Sequence, residues 1–345
     1  MFSFNRLVLP AVSVLALGAP RGLCADPLVE LAAVSSFKDV NLDKLAGGTV
    51  QIVRGPAMSF ARGLSVESIY VVRKPVAATA AIHVAWNPNK HPELKVFLHG
   101  DLSAHPVLAD FQKLAGAPSI PPVKTFVAAT QKLGPDGTDL QLTKAEAAAF
   151  ASQPATGASA GALPPKMAAF WSDLLLRRTQ AFLSGGIAHL PPYETLGESI
   201  RPADEVARLL KDVPKVRSQF AALIDGNPLT GTKAVPPQSV YWEMFDADGQ
   251  GALNLGALYV HPNGDAWQAL DGEYYASGGY YALLTFHQMW PVKIAGRDCT
   301  LVWRTDLISA ATLATLHGVE RMGSSTAMMR ETKKTIESLL KDAGQ

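Results

Sequence analysis

The sequence predicts an α+β fold in which an antiparallel sheet grips a long C-terminal helix. Three observations carry this. Strand-like runs at 239–245, 253–261, 279–290 and 300–309 fill the last hundred residues. Tight turns separate them: 246–251, and Pro262-Asn263-Gly264-Asp265, whose Asn-Gly is a strong hairpin signal. A helical segment at 324–341 then carries Met328, Thr332, Ile336 and Leu339 as one stripe, with Ser324 as N-cap and Lys341 near the negative C-terminal end.

The N-terminus reads as a secretory leader. Arg6 supplies the positive region, and 7–19 is apolar apart from Pro10 and Ser13. That run is shorter than the about 20 residues a bilayer span requires. Ala25 marks the expected cleavage point. Leu23-Cys24 makes a poor lipid-attachment box. The expectation is therefore a periplasmic or secreted protein, with no integral membrane segment after residue 25.

Loss of Arg6 and Arg21 with the leader moves the net charge from +1 to −1. A near-neutral chain is unsuited to nucleic acid and to polybasic membrane docking. Cys299 is the one cysteine beyond the leader, so no intramolecular disulfide holds the exported fold. Stability must come from apolar burial. The chain is 48% hydrophobic and 18% charged, against about 25% charged in an average domain. Low charge at this length points to a large core, a large cavity lining or a covered surface.

Three blocks follow the leader. In the first, 26–103, residues 26–45 read as a helix on the spacing of Leu28, Leu31 and Ala32. Strands are expected at 49–53, 65–73 and 94–98. Pro75 opens an apolar helix over 76–86, which Asn87-Pro88-Asn89 stops. The second block, 104–226, is Ala-rich and lacks strand signals. Thr143 and Glu146 form a capping box. A long helix at 167–184 carries Phe170, Leu174 and Phe182 and is closed by Gly185-Gly186. Further helices are expected at 206–210 and 216–224, and 153–165 reads as a linker. The third block, from 235, is the strand-rich end. In its last strand Leu301, Trp303 and Leu307 share one face, and Arg304 and Asp306 the other.

Two stretches, Tyr70-Val71-Val72-Arg73-Lys74-Pro75 running into 76–86, and Thr300-Leu301-Val302-Trp303-Arg304 followed by 324–341, carry a resemblance. The first and third blocks resemble a helix-grip, START-like domain of the broad polyketide-cyclase and lipid-transfer superfamily. The resemblance implies a START-like domain over 26–103 and 227–345, a helical insertion over 104–226, and a cavity for a lipid, sterol or polyketide-like molecule. It brings no catalytic residues.

The chemical motifs are weak. Gly157-Ala158-Ser159-Ala160-Gly161 has the G-x-S-x-G spacing without the strand and helix a nucleophile elbow needs. Asp246-Ala247-Asp248-Gly249 opens like a calcium loop, but position 12 is Ala257, so a hairpin turn explains it better. Ser35-Ser36-Phe37-Lys38 and Ser338-Leu339-Leu340-Lys341 match S-x-x-K without companion motifs. Among eight histidines, His83, His91, His99 and His105 fall in one region, and none has metal-site spacing. His99-Gly100-Asp101 pairs an imidazole with a carboxylate in the manner of an oriented base. Tyr274, Tyr275, Tyr280, Tyr281, Phe286, Trp290 and Trp303 are either core or cavity wall.

The leading functional reading is an exported binder of an apolar, lipid-like molecule. Its expected ligand face is Tyr280, Leu284, Phe286, Leu301, Trp303 and Leu307, turned toward the terminal helix. No catalytic residue, metal or cofactor is assigned. Two alternatives stand beside it. One is an enzyme on the same scaffold, using His99 and Asp101 or His287. The other is an envelope interaction module that docks a partner on the helical block.

Overall fold

The computed structural model describes residues 26–345 apart from 135–138, 153–162, 195–196 and 231–235. The expected leader and the G-x-S-x-G motif lie outside the described residues. Alternating apolar runs build one antiparallel sheet from β1 (Gln51–Arg54), β2 (Gly63–Val72), β3 (Val96–Asp101), β4 (Ser239–Ala247), β5 (Gln250–Asn263), β6 (Ala266–Ala276), β7 (Ala282–Ile294) and β8 (Arg297–Ser309). Their order is β1-β2-β8-β7-β6-β5-β4-β3. The last strand therefore pairs with the second, and β3 forms the far edge.

Helices lie on both faces. The N-terminal segment forms two helices rather than the expected single one: α1 (Pro27–Val34) and α2 (Leu42–Ala46). The break has a local cause. Ser35 Oγ donates to the Leu31 carbonyl at 2.7 Å and accepts from Phe37 N at 3.2 Å, so it competes with the helical ladder. Helix α3 is Val76–Ala85. The helical block contributes α4 (Pro121–Gln131), α5 (Lys144–Ala151), α6 (Pro165–Gly185), α7 (Pro202–Asp212), α8 (Pro214–Gln219) and α9 (Ala221–Ile224). The Thr143–Glu146 capping box forms in both directions. The terminal helix α10 spans Gly318–Asp342. Its N-cap is His317, seven residues before the expected Ser324, because the apolar stripe used to place its start does not extend into its exposed first turns.

The two faces of the sheet bury different things. On one, Ile69, Val71, Leu253, Leu255, Leu284, Phe286, Leu301, Trp303 and Leu307 join α1, α2 and the helical block in one large apolar cluster. Glu205 of α7 helps fix this layer: Arg62 donates to it at 2.8 Å and Ser309 also donates to it. On the other face, α3 and the C-terminal half of α10 meet the sheet. Ile336, Leu339, Leu340 and Ala343 pack with Tyr70, Val72, Leu258, Met289 and Val302.

That division corrects the expected ligand face. Leu301, Trp303 and Leu307 do share a side and Arg304 and Asp306 the opposite one, but the apolar set meets the helical block and the charged set meets the terminal helix. Leu284 and Phe286 go with the apolar set. Tyr280 does not. It sits in a small third cluster with Ala276, Ala310 and Leu313, near Phe245, on the gripped side. Both faces are covered, so apolar character alone does not say which helices a face meets. The drier face takes the larger helical layer.

Candidate functional site

The gripped face carries a band of ionisable side chains between two apolar ends. The apolar cluster under α10 bounds it on one side and the Tyr280 cluster on the other. Period-two alternation places each member. Strand β8 presents Arg304 and Asp306, β7 presents Thr285 and His287, β6 presents Asp271 and Glu273, β5 presents Asn254, β4 presents Tyr241 and Glu243, and β3 presents His99 and Asp101. Helix α3 brings His83 down to His287, ring centroids 4.5 Å apart.

The band is internally wired. Arg304 grips Asp306 with Nε at 2.9 Å and Nη2 at 2.6 Å, and Thr285 donates to the same carboxylate at 2.8 Å. Tyr241 donates to Asp271 at 2.9 Å. Tyr280 donates to Glu273. Asn254 Nδ2 reaches Glu273 at 2.6 Å and Glu243 at 3.5 Å. His99 lies between Glu243, 3.0 Å from Nδ1, and Asp101, 3.3 Å from Nε2. Its ring stacks on Tyr241 with centroids 5.7 Å apart. Gly256 makes the Tyr241 position possible, since a Cβ there would lie 2.2 Å from Tyr241 Cζ. A glycine inside a strand commonly marks such a close approach.

Burial shapes the electrostatics. Asp271 is pushed up to about 7, mainly by loss of solvent and further by Glu243. Glu273 is raised well above the usual carboxylate range by burial and by Glu243 and Asp271. His83 is lowered to about 4 by burial and by Arg304. His287 is lowered by burial, then by His83 and Arg304. His99 goes the other way. Burial disfavours its charge, but Glu243 and then Asp101 outweigh that and raise it. Close carboxyls compete for one negative charge, and neighbouring imidazoles near a guanidinium stay neutral.

Several buried atoms of the band lack a partner: His83 Nε2, His287 Nδ1, Asn254 Oδ1 and Ser68 Oγ. An unpaired buried polar atom costs about 1–3 kcal/mol. Such atoms are normally met by water or by a ligand. Asp271, Glu273 and Arg304 are each partly open to solvent although they project from the middle of the sheet. The band is therefore a largely buried polar stretch of the sheet that keeps some contact with solvent. Chemically it can donate through tyrosines, accept through carboxylates, and hold or release a proton near neutrality at Asp271.

Sequence reasoning found part of this. His99 and Asp101 do meet, and Glu243 completes the set. His83 joins His287, whereas His91 pairs with Asp342 at 2.9 Å and His105 lines an open surface hollow with Gln180 and Ser184. The four neighbouring histidines therefore serve separate places. The D-x-D-G segment is the β4–β5 hairpin turn. Among the described residues no group of three or more His, Cys, Asp or Glu is arranged to hold a metal. No helix among them is long and apolar enough to cross a membrane. Tyr241, Glu243, Asn254, Asp271 and Glu273 were not anticipated. The signal for the β6 pair was present: Trp267, Ala269, Asp271 and Glu273 alternate after the Asn-Gly turn.

No protein-family model matches this chain, and no curated protein matches it. Among solved structures, it is similar to one titled "Crystal structure of Ara h 8.0201". The two are 11% identical, the match covers 41% of this chain and 90% of that chain, and the TM-score is 0.20. What the chain itself displays is an α+β fold, an antiparallel sheet with a long C-terminal helix laid across one face.

Proposed function

We propose that this protein binds a small amphiphilic, lipid-like molecule on the gripped face, its polar end on the charged band and its apolar part toward Leu258, Met289 and Val302. The observation that carries the reading is the set of unpartnered buried atoms, His83 Nε2, His287 Nδ1 and Asn254 Oδ1, in a band whose Asp271, Glu273 and Arg304 stay partly open to solvent. Of the expected ligand residues, Tyr280 stays with the site. Leu284, Phe286, Leu301, Trp303 and Leu307 support the strands from behind. Export to the periplasm or beyond belongs to the same proposal and rests on the leader sequence.

Tryptophan fluorescence tests it. Trp86 and Trp267 pack in the gripped-face cluster, while Trp303 lies on the other side. Titration with ten-carbon amphiphiles should change the emission. Trp86→Phe with Trp267→Phe should abolish the change and Trp303→Phe should leave it. A change that depends on Trp303 alone, or no change with any amphiphile, defeats the reading.

An acid–base enzyme is the second reading, favoured by Asp271. A carboxyl brought to about 7 can exchange a proton at neutral pH. Turnover of a bound carbonyl compound with a pH profile shifted by Asp271→Asn would favour it over simple binding.

A further inference from the structure

Helix α10 changes character along its length. Its C-terminal half is anchored repeatedly. Ile336, Leu339, Leu340 and Ala343 pack on the sheet, Ser338 donates to Glu93 at 2.9 Å, and Asp342 meets His91 at 2.9 Å. Just past the helix, Gln345 donates to the Val71 carbonyl at 3.2 Å and accepts from Arg73 N at 2.8 Å. The first turns are the opposite. None of residues 318–324 is buried, and Val319 and Met322 stand 83% and 50% exposed. Among the described residues, the hydrogen bonds that tie 318–326 to anything beyond this helix all come from Arg321. Its guanidinium donates to the Ala61 carbonyl at 2.8 Å, to the Leu313 carbonyl at 2.9 Å and to the Gly63 carbonyl. Gly63 opens β2 and pairs with Ser309, the last residue of β8. One side chain thus holds the start of α10 against the ends of two strands.

Between the two halves lies Gly323-Ser324-Ser325-Thr326. Glycine inside a helix loses more freedom on folding than alanine would. Serine and threonine are poor helix formers because their hydroxyls compete for backbone groups. Here all three do so. Ser324 Oγ donates to the Glu320 carbonyl at 3.4 Å, Ser325 Oγ to that of Arg321 at 3.2 Å, and Thr326 Oγ1 to that of Met322 at 3.0 Å. Bonds of this kind weaken and bend a helix. A Cβ on Gly323 would meet no atom within 4 Å, so close packing does not explain the glycine.

We propose that residues 318–322 form a strap, hinged at 323–326 and latched by Arg321, that opens over one end of the gripped face while the rest of α10 stays docked. That end is where Leu64, Ile308 and Leu316 gather round Leu313 and Tyr280. A segment with few buried contacts opens at low free energy, whereas one packed on the core opens only with the whole fold. The weak run at 323–326 sets the boundary between the two. The strap is built into the chain and does not depend on the binding reading above.

The test is amide hydrogen exchange, resolved along α10, on the full chain as wild type, Arg321→Ala, and Gly323→Ala combined with Ser324→Ala. In wild type, 321–326 should exchange as one group, about a hundredfold faster than 332–340, with the step close to Thr326. Arg321→Ala should speed the group roughly tenfold, through the lost charged hydrogen bonds, and leave 332–340 unchanged. The double alanine variant should slow it about fivefold by repairing the helix. A smooth gradient from 321 to 340 would be ordinary end fraying and overturns the hinge. An Arg321→Ala chain that speeds the whole helix alike, or that fails to fold, overturns the independence of the two halves. Exchange unchanged by Arg321→Ala overturns the latch.

Discussion

Phe220, at the junction of α8 and α9, lies with its ring 6.1 Å from the indole of Trp303 and 4.9 Å from the ring of Phe286. An aromatic from the helical block thus covers the apolar side of the sheet. Trp303 is fully buried there, and its Nε1 has no hydrogen-bond partner. Trp303→Ala should cost about 3–5 kcal/mol by opening a cavity beside Phe220. Urea denaturation measures this. A loss below 1 kcal/mol would mean that the helical block does not rest on the sheet.

The terminal helix makes a separate prediction. Ile336 is 1% exposed and packs among Tyr70, Val302 and Met289. Ile336→Asp places a charge there with no partner, and several kcal/mol of stability should go with it. The exposed Met322 is the control, since Met322→Asp should shift stability by less than about 0.5 kcal/mol. Equal effects of the two would detach α10 from the core.

Stability should vary with pH through His287, His83 and Asp271. The histidines are depressed in the folded protein, by burial first. The unfolded chain binds protons more readily, so their contribution is complete above about 6.5 and is lost as pH falls toward about 4. Asp271 is raised, so its contribution is complete below 3.8 and is lost as pH rises through about 7. His287→Leu should flatten the acid-side loss, and Asp271→Asn the loss between 3.8 and 7. Each change should be on the order of 1–3 kcal/mol across its window, since one pKa unit is about 1.4 kcal/mol. Urea midpoints at pH 4.5, 6 and 7.5 follow both. Curves parallel to wild type would show that these groups are not desolvated.

The sheet and the closing helix were legible because period two and period 3.6 are written in the side chains. Strand β6 was not. Its alternation over Trp267, Ala269, Asp271 and Glu273 is interrupted by Gly272, where a Cβ would lie 2.3 Å from Leu229 Cδ1. Just beyond it, β6 carries an extra residue: Leu255 pairs with Tyr275 and Gly256 with Glu273. Tyr274 and Tyr275 therefore both turn into the helical layer, where they meet Phe182 and Arg178. A bulge breaks alternation, and it is invisible without the partner strand. The polar band escaped notice for a different reason. Arg304 and Asp306 look like a solvated face, and only the path of α3 and α10 shows that face to be roofed.

The most direct test of a ligand on the gripped face is amide hydrogen exchange of the protein as purified, compared with the same protein after its bound small molecules are stripped with organic solvent. Stripping should speed exchange in α3 and α10 and in the middle of β5 and β6, with little change in α5, α6 and α7. Identical exchange before and after stripping, or a change confined to the helical block, would contradict the account.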